Sequence, residues 1–114
     1  MTRIYKILPA SEWAQAKTSG QFLGSAIDLA DGFIHFSAAH QAAVTAAKYF
    51  AGKADLMILG MEEEAVGPGL KWEPSRGGDL FPHLYGPLAA SAVDEARGLA
   101  LGEDGVPTLG DLRP

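Results

Sequence analysis

The sequence contains no cysteine. That excludes disulfides, thiolate metal sites and cysteine nucleophiles. No apolar run approaches the roughly 20 residues of a membrane-spanning helix. The opening MTRIYKILPASEW also lacks the apolar core of a signal peptide. Basic residues are in the minority, nine Lys and Arg against 14 Asp and Glu, with a formal net charge of −5. Nonspecific nucleic-acid binding needs clustered cations and is not expected. These absences point to a cytoplasmic protein with no membrane segment. Its 114 residues suffice for one domain, 1–114, with a core over about 3–100 and a tail over about 102–114. Histidine is scarce too, with three in the chain.

The hydrophobic fraction of 47% is enough for a folded core. RIYKIL (3–8) alternates and is rich in β-formers, predicting a strand stopped by Pro9. Ser11 is placed to cap a helix EWAQAKTS closed by Gly20, with Trp13, Ala16 and the stem of Lys17 inward. SAIDLA predicts one short helical turn, and Asp31-Gly32 a chain reversal. Phe33 to Ser37 predicts a strand, after which Ser37 caps a helix over 38–51 with Ala43, Ala46, Ala47 and Phe50 at helical spacing. ADLMILGME is a buried-type strand, and a shorter strand is expected near Leu70 to Glu73. LFPHLYGPL predicts an irregular strand, at an edge or bulged, because Pro82 cannot donate to a ladder. AASAVDEARGLAL fits either helix or strand, with Val93, Ala96 and Leu99 favouring helix. The tail GEDGVPTLGDLRP is expected along the surface.

Two of the three histidines occur in matching settings, DGFIHFS and LFPHLYGP. Strand side chains alternate between faces. Phe33, His35 and Ser37 would therefore share one face, and so would Phe81, His83 and Tyr85. Each strand then offers an aromatic, an imidazole and a hydroxyl: a stacking surface, a proton carrier near neutral pH and an orienting hydrogen bond. Glu73, ten residues before His83, is a candidate acid/base partner. The candidate catalytic residues are His35, His83 and Glu73. The candidate ligand-binding residues are Phe33, Ser37, Phe81 and Tyr85. In the bland alternative the histidines are buried structural residues, Ser37 is a helix cap, and Tyr85-Gly86-Pro87 is a turn. Glu62 to Glu64 reads as a solvated face or strand end, Arg76 as an anion contact or a solvated side chain, His40 as exposed, and Arg3 as a possible anion contact. No metal site is expected, since neither HExxH spacing nor cysteine is present. No phosphate loop or Gly-x-Ser-x-Gly elbow occurs.

The series IYKIL, EW, DGFIHFS, YF, LMIL, KWE and FPHLYGPL, from about Ile4 to Leu88, resembles the DUF952 family of small bacterial proteins. That family is similar in fold to the ADP-ribosyltransferase superfamily, which includes the RNA 2′-phosphotransferases. The resemblance implies an α+β fold with two small, mostly antiparallel sheets and flanking helices around a nucleotide cleft. It implies that His35 hydrogen-bonds a ribose and that Ser37 supports the strand or ligand. It also implies NAD as a candidate substrate or ligand. In the superfamily a late motif supplies a glutamate; here FPHLYGP supplies His83. The functional expectation is an ADP-ribosyl-type nucleotide site acting in glycosyl or phosphoryl transfer or hydrolysis. The alternative is a noncatalytic small-ligand-binding or interaction domain.

Overall fold

The computed structural model describes residues 2–114, with the side chain of Arg76 outside the description. The first strand, β1 (Arg3–Pro9), is buried on both faces, and its two charged residues, Arg3 and Lys6, are buried with the apolar ones. Ile4 and Leu8 point into one core with Trp13, Phe22, Ile34, Phe36, Leu59, Met61, Leu84 and Leu88. Tyr5 and Ile7 point the opposite way, into a second core with Ala42, Ala46, Leu56, Ile58 and Leu109.

Around β1 lies a five-stranded sheet. Its other members are β4 (Ser37–Ala38), β5 (Leu56–Glu62), β9 (Glu95–Leu101) and β10 (Pro107–Thr108), in the order β10-β9-β5-β1-β4. A three-stranded sheet of β3 (Ile34–His35), β7 (Leu80–Leu84) and β6 (Leu70–Pro74) has the order β3-β7-β6. β2 (Gln21–Phe22) and β8 (Leu88–Ala89) form a small ribbon. The strand pairings are antiparallel. Three helices, α1 (Ala10–Ser19), α2 (Ala26–Asp31) and α3 (Ala39–Tyr49), complete an α+β fold. The expectation of two sheets thus gives way to three.

Several local expectations change. α1 starts two residues earlier than expected, with Pro9 rather than Ser11 at the cap position, and it ends at the left-handed Gly20 as expected. Lys17 is exposed, its ammonium 5.9 Å from the Trp13 ring centroid. Segment 33–37 is not one strand. At Phe36 the chain leaves the three-stranded sheet, and Ser37 pairs with Tyr5 in the five-stranded one. Ser37 does not cap α3 either. The cap residue is Ala38, whose N–H donates to the Gln41 side chain, while the Ser37 hydroxyl meets that of Thr45 at 2.9 Å. The inward residues of α3 are Gln41, Ala42 and Ala46, whereas Ala43 and Ala47 are exposed.

Pro82 sits in the central strand of its sheet, not at an edge. Its carbonyl accepts from the Phe36 N–H at 3.0 Å. In an antiparallel strand a residue's nitrogen faces the same side as its carbonyl. The missing donor therefore faces Phe36, so the return bond of that pair cannot form, and the β3–β7 pairing ends there. Residues 95–101 form a strand rather than a helix, covering the free edge of β5 from Leu56 to Gly60. The tail is partly core: Leu109 is buried, and the Tyr5 hydroxyl donates to the Arg113 carbonyl at 2.8 Å.

Arg3 is a buried junction rather than a free anion contact. Its guanidinium pairs with Glu62 at 2.7 Å, Asp94 at 2.6 Å and Glu95 at 3.2 Å. Hydrogen bonding to Asp94, against the cost of burial, pushes Arg3 further up; the same contact holds Asp94 below its ordinary value. The Glu62–Glu64 run begins at a strand end, as Glu62 closes β5, but it is not one solvated face. Glu62 holds Arg3, Glu63 accepts the Trp72 indole N–H at 2.9 Å, and Glu64 is exposed.

Candidate functional site

The three-stranded sheet carries the sequence's two notable histidines side by side. Ile34 pairs with Leu84, and His35 with His83. Ile34, Leu84 and Leu70 turn toward the first core. Alternation therefore sends His35 and His83 to the outer face. Across β6 the register places Lys71 opposite His83 and Glu73 opposite Phe81. Lys71, His83 and His35 thus form a row across three strands, with neighbours at the close spacing of facing pairs.

The ring centroids of His35 and His83 are 5.5 Å apart. Phe33 stacks on His83 at 4.2 Å and lies 4.6 Å from His35 and 5.2 Å from Tyr85. Each imidazole has its own carboxylate. Glu73 Oε1 lies 2.8 Å from His83 Nδ1 and accepts the Tyr85 hydroxyl at 2.8 Å. Contacts with His83 and then Tyr85 hold Glu73 below its ordinary value, and Glu73 in turn raises the Tyr85 phenol. His35 Nδ1 lies 2.6 Å from Asp28 Oδ1, and its Nε2 lies 2.9 Å from Asp31 Oδ2.

Asp28 is the buried support of this site. Its side chain is 1% exposed and pairs with buried Lys6 at 2.9 Å. It also accepts the backbone N–H of Ser25 at 2.8 Å and of His35 at 3.1 Å. Burial alone would raise Asp28, but the His35, Lys6 and Ser25 contacts outweigh it and hold the carboxyl at about 2. Burial pushes the Lys6 ammonium down, with Asp28 opposing.

The structure therefore brings together Phe33, His35, Glu73, His83 and Tyr85. Phe81 is buried in the next row, opposite Glu73. Ser37 is buried beside Thr45 and does not join the cluster. Asp28, Asp31, Lys6 and Lys71 were absent from the sequence-derived set. Two signals pointed to the first and third: Lys6 sits between Ile4 and Leu8 on an apolar strand face, and Ser25-x-x-Asp28 has the spacing of a helix-start pair. His40 is exposed, as expected. The Arg76 side chain lies outside the described residues.

Beside the cluster is a groove of about 270 Å³, lined by apolar side chains such as Leu23, Leu29, Phe33 and Pro87, with Asp28 in its wall. The rings of His35 and His83 are not part of that lining. Among the described residues, no group of three or more His, Cys, Asp or Glu side chains has the arrangement to hold a metal ion. No helix among them is long and apolar enough to cross a membrane.

The sequence profile described as DUF952, a protein of unknown function, matches residues 7–96. The chain belongs to the DUF952 family. A crystal structure of protein CC0527 from Caulobacter crescentus is similar at 59% identity, covering 96% of each chain, with a TM-score of 0.93. A solution NMR structure of the same protein has a TM-score of 0.86 at 59% identity, over 96% of this chain and 95% of that one. No curated protein matches. The matched DUF952 region includes both histidine segments and β1 from Ile7 onward.

Proposed function

We propose that the outer face of the three-stranded sheet binds an ADP-ribosyl-type nucleotide such as NAD, and that His35 and His83 move protons during hydrolysis or transfer at its glycosidic or phosphoryl bond. The observation that carries this reading is the pair of histidine–carboxylate dyads with rings 5.5 Å apart on one sheet face. Cleavage by water needs a proton taken from the attacking oxygen, and at a phosphoryl bond also one given to the leaving oxygen; nicotinamide leaves NAD uncharged and takes none. Two neighbouring imidazoles suit that exchange near neutral pH. Asp28 and Glu73 fix the ring orientations. The apolar groove beside Phe33 has room for one flat ring of the ligand. The resemblance to the ADP-ribosyltransferase superfamily supplies the nucleotide class.

Calorimetry of the full chain with NAD and ADP-ribose up to millimolar concentration tests the reading, with product analysis alongside. Saturable binding is expected, weakened at least tenfold by His35→Ala, together with turnover lost in His83→Ala. Absence of heat with both ligands overturns it.

One observation favours a second reading, a noncatalytic binding module. Phe33 covers His83, whose side chain is 6% exposed. Saturable binding with no product, unchanged by Glu73→Ala, would establish that reading instead.

A further inference from the structure

His35 Nε2 faces Asp31, a carboxylate whose position is poorly supported. Asp31 is 47% exposed and is the last residue of α2. The C-terminal end of a helix presents carbonyls and disfavours negative charge. Asp28, three residues earlier, adds a like charge on the same helix face. His35 Nε2, at 2.9 Å, holds the Asp31 carboxylate in place. Asp28 is already paired with buried Lys6. A carboxylate only accepts, so both His35 contacts are hydrogen bonds when each ring nitrogen carries a proton. In that state Asp31 is the counterion of His35, and another oxyanion could replace it without changing the local charge. Beyond His83, which is paired with Glu73 and covered by Phe33, the row ends at Lys71, which is exposed with its ammonium 5.4 Å from the Tyr85 ring centroid. A ligand group with several acceptor oxygens suits such a row better than one carboxylate.

We propose that the Nε2 side of His35, with Lys71 at the far end of the row, is a phosphoryl-oxygen subsite, and that Asp31 occupies it in the free protein until the ligand displaces it. This rests on the outer face being the ligand site, and it assigns where on that face the phosphoryl group lies.

The test titrates the full chain with inorganic phosphate, followed by calorimetry and by the imidazole Cε1–H signals in NMR. Asp31→Ala should tighten phosphate about two- to fivefold, the range set by an exposed ion pair. Asp31→Asn should act in the same direction, and melting curves confirm that both variants fold. Lys71→Ala should weaken phosphate by a similar factor. Glu103→Ala removes one exposed negative charge in the turn after β9 and should change nothing. Phosphate affinity in Asp31→Ala no tighter than in Glu103→Ala overturns the subsite. Acetate binding Asp31→Ala as tightly as phosphate overturns the phosphoryl assignment. If ADP-ribose binds the native chain through His35 while Asp31→Ala gains nothing, the subsite falls and the nucleotide reading stands. If Asp31→Ala gains phosphate affinity at His35 but no nucleotide binds, the subsite stands and the nucleotide reading falls.

Discussion

Asp28 ties the outer face of the three-stranded sheet to the interior, and its titration shows how strongly. Its carboxyl moves from 3.8 in the open chain to about 2 in the fold. Ionisation therefore favours folding. The contribution is complete above the open-chain value and vanishes as pH falls through the folded one, and the shift corresponds to about 2 kcal/mol. Urea unfolding at pH values on either side of that window should show the native chain losing about 2 kcal/mol more than Asp28→Asn. An equal loss in both would contradict the assignment. Tyr85 offers a second titration. Glu73 raises its phenol, so Glu73→Gln should lower the Tyr85 midpoint toward the ordinary tyrosine value, read from its ring signals in NMR. The residues on the outer face were largely legible in the sequence, because alternation alone places Phe33 with His35 and His83 with Tyr85. The support beneath was not. Lys6, Asp28 and His35 are joined only by the meeting of β1, α2 and β3.

Among the elements, β5 and β6 were readable because their apolar patterning matches their burial, and β1 because it is rich in β-formers, although Arg3 and Lys6 are buried with the rest. β9 was not. Val93, Ala96 and Leu99 mimic a helical stripe, and the deciding fact is the free edge of β5, which local sequence does not reveal. Gly60 in β5 shows how closely that junction is fitted. A Cβ there would lie 2.8 Å from the Arg3 guanidinium and 2.9 Å from the Glu95 carboxylate. Gly60→Ala should displace Arg3 and destabilise by about 1–3 kcal/mol, the usual cost of overpacking. A melting temperature within a degree of the native chain's would show that the junction yields freely. Gly69 plays a similar part near the site. A Cβ there would come within 2.7 Å of the Tyr85 carbonyl, whose residue donates its N–H to Gly69 at 2.9 Å.

For the whole molecule, the two cores on opposite faces of β1 divide the work. One lies under the candidate site, and the other is closed by α3 and the last residues. The tail reads as surface chain because it is rich in Gly and Pro, yet Leu109 is buried in the second core. Leu109→Ala should therefore cost about 2–4 kcal/mol in chemical denaturation, as for other buried leucines. A cost under about 0.5 kcal/mol would mark the tail as surface chain after all. The general class, α+β with mostly antiparallel sheets, comes from the family resemblance; alternating strands and helices alone would read as a parallel α/β sheet. The separation of the three-stranded sheet from the five-stranded one depends on the chain changing partners at Phe36, which no periodicity announces.

That change of partners at Phe36 makes chain length unusually strict there. His35 is registered against His83, and two residues later Ser37 is registered against Tyr5. An inserted residue between them has no slack to occupy, and a slip of one place would turn the histidine toward the core. The β6–β7 turn is different. It is closed by Ser75–Asp79 and Gly78–Ser75 bonds at its far end, so added residues there would lengthen the loop without disturbing either register. Insertions should therefore be tolerated near Gly77 and refused near Phe36, a contrast that a scanning library of single-residue insertions would read directly.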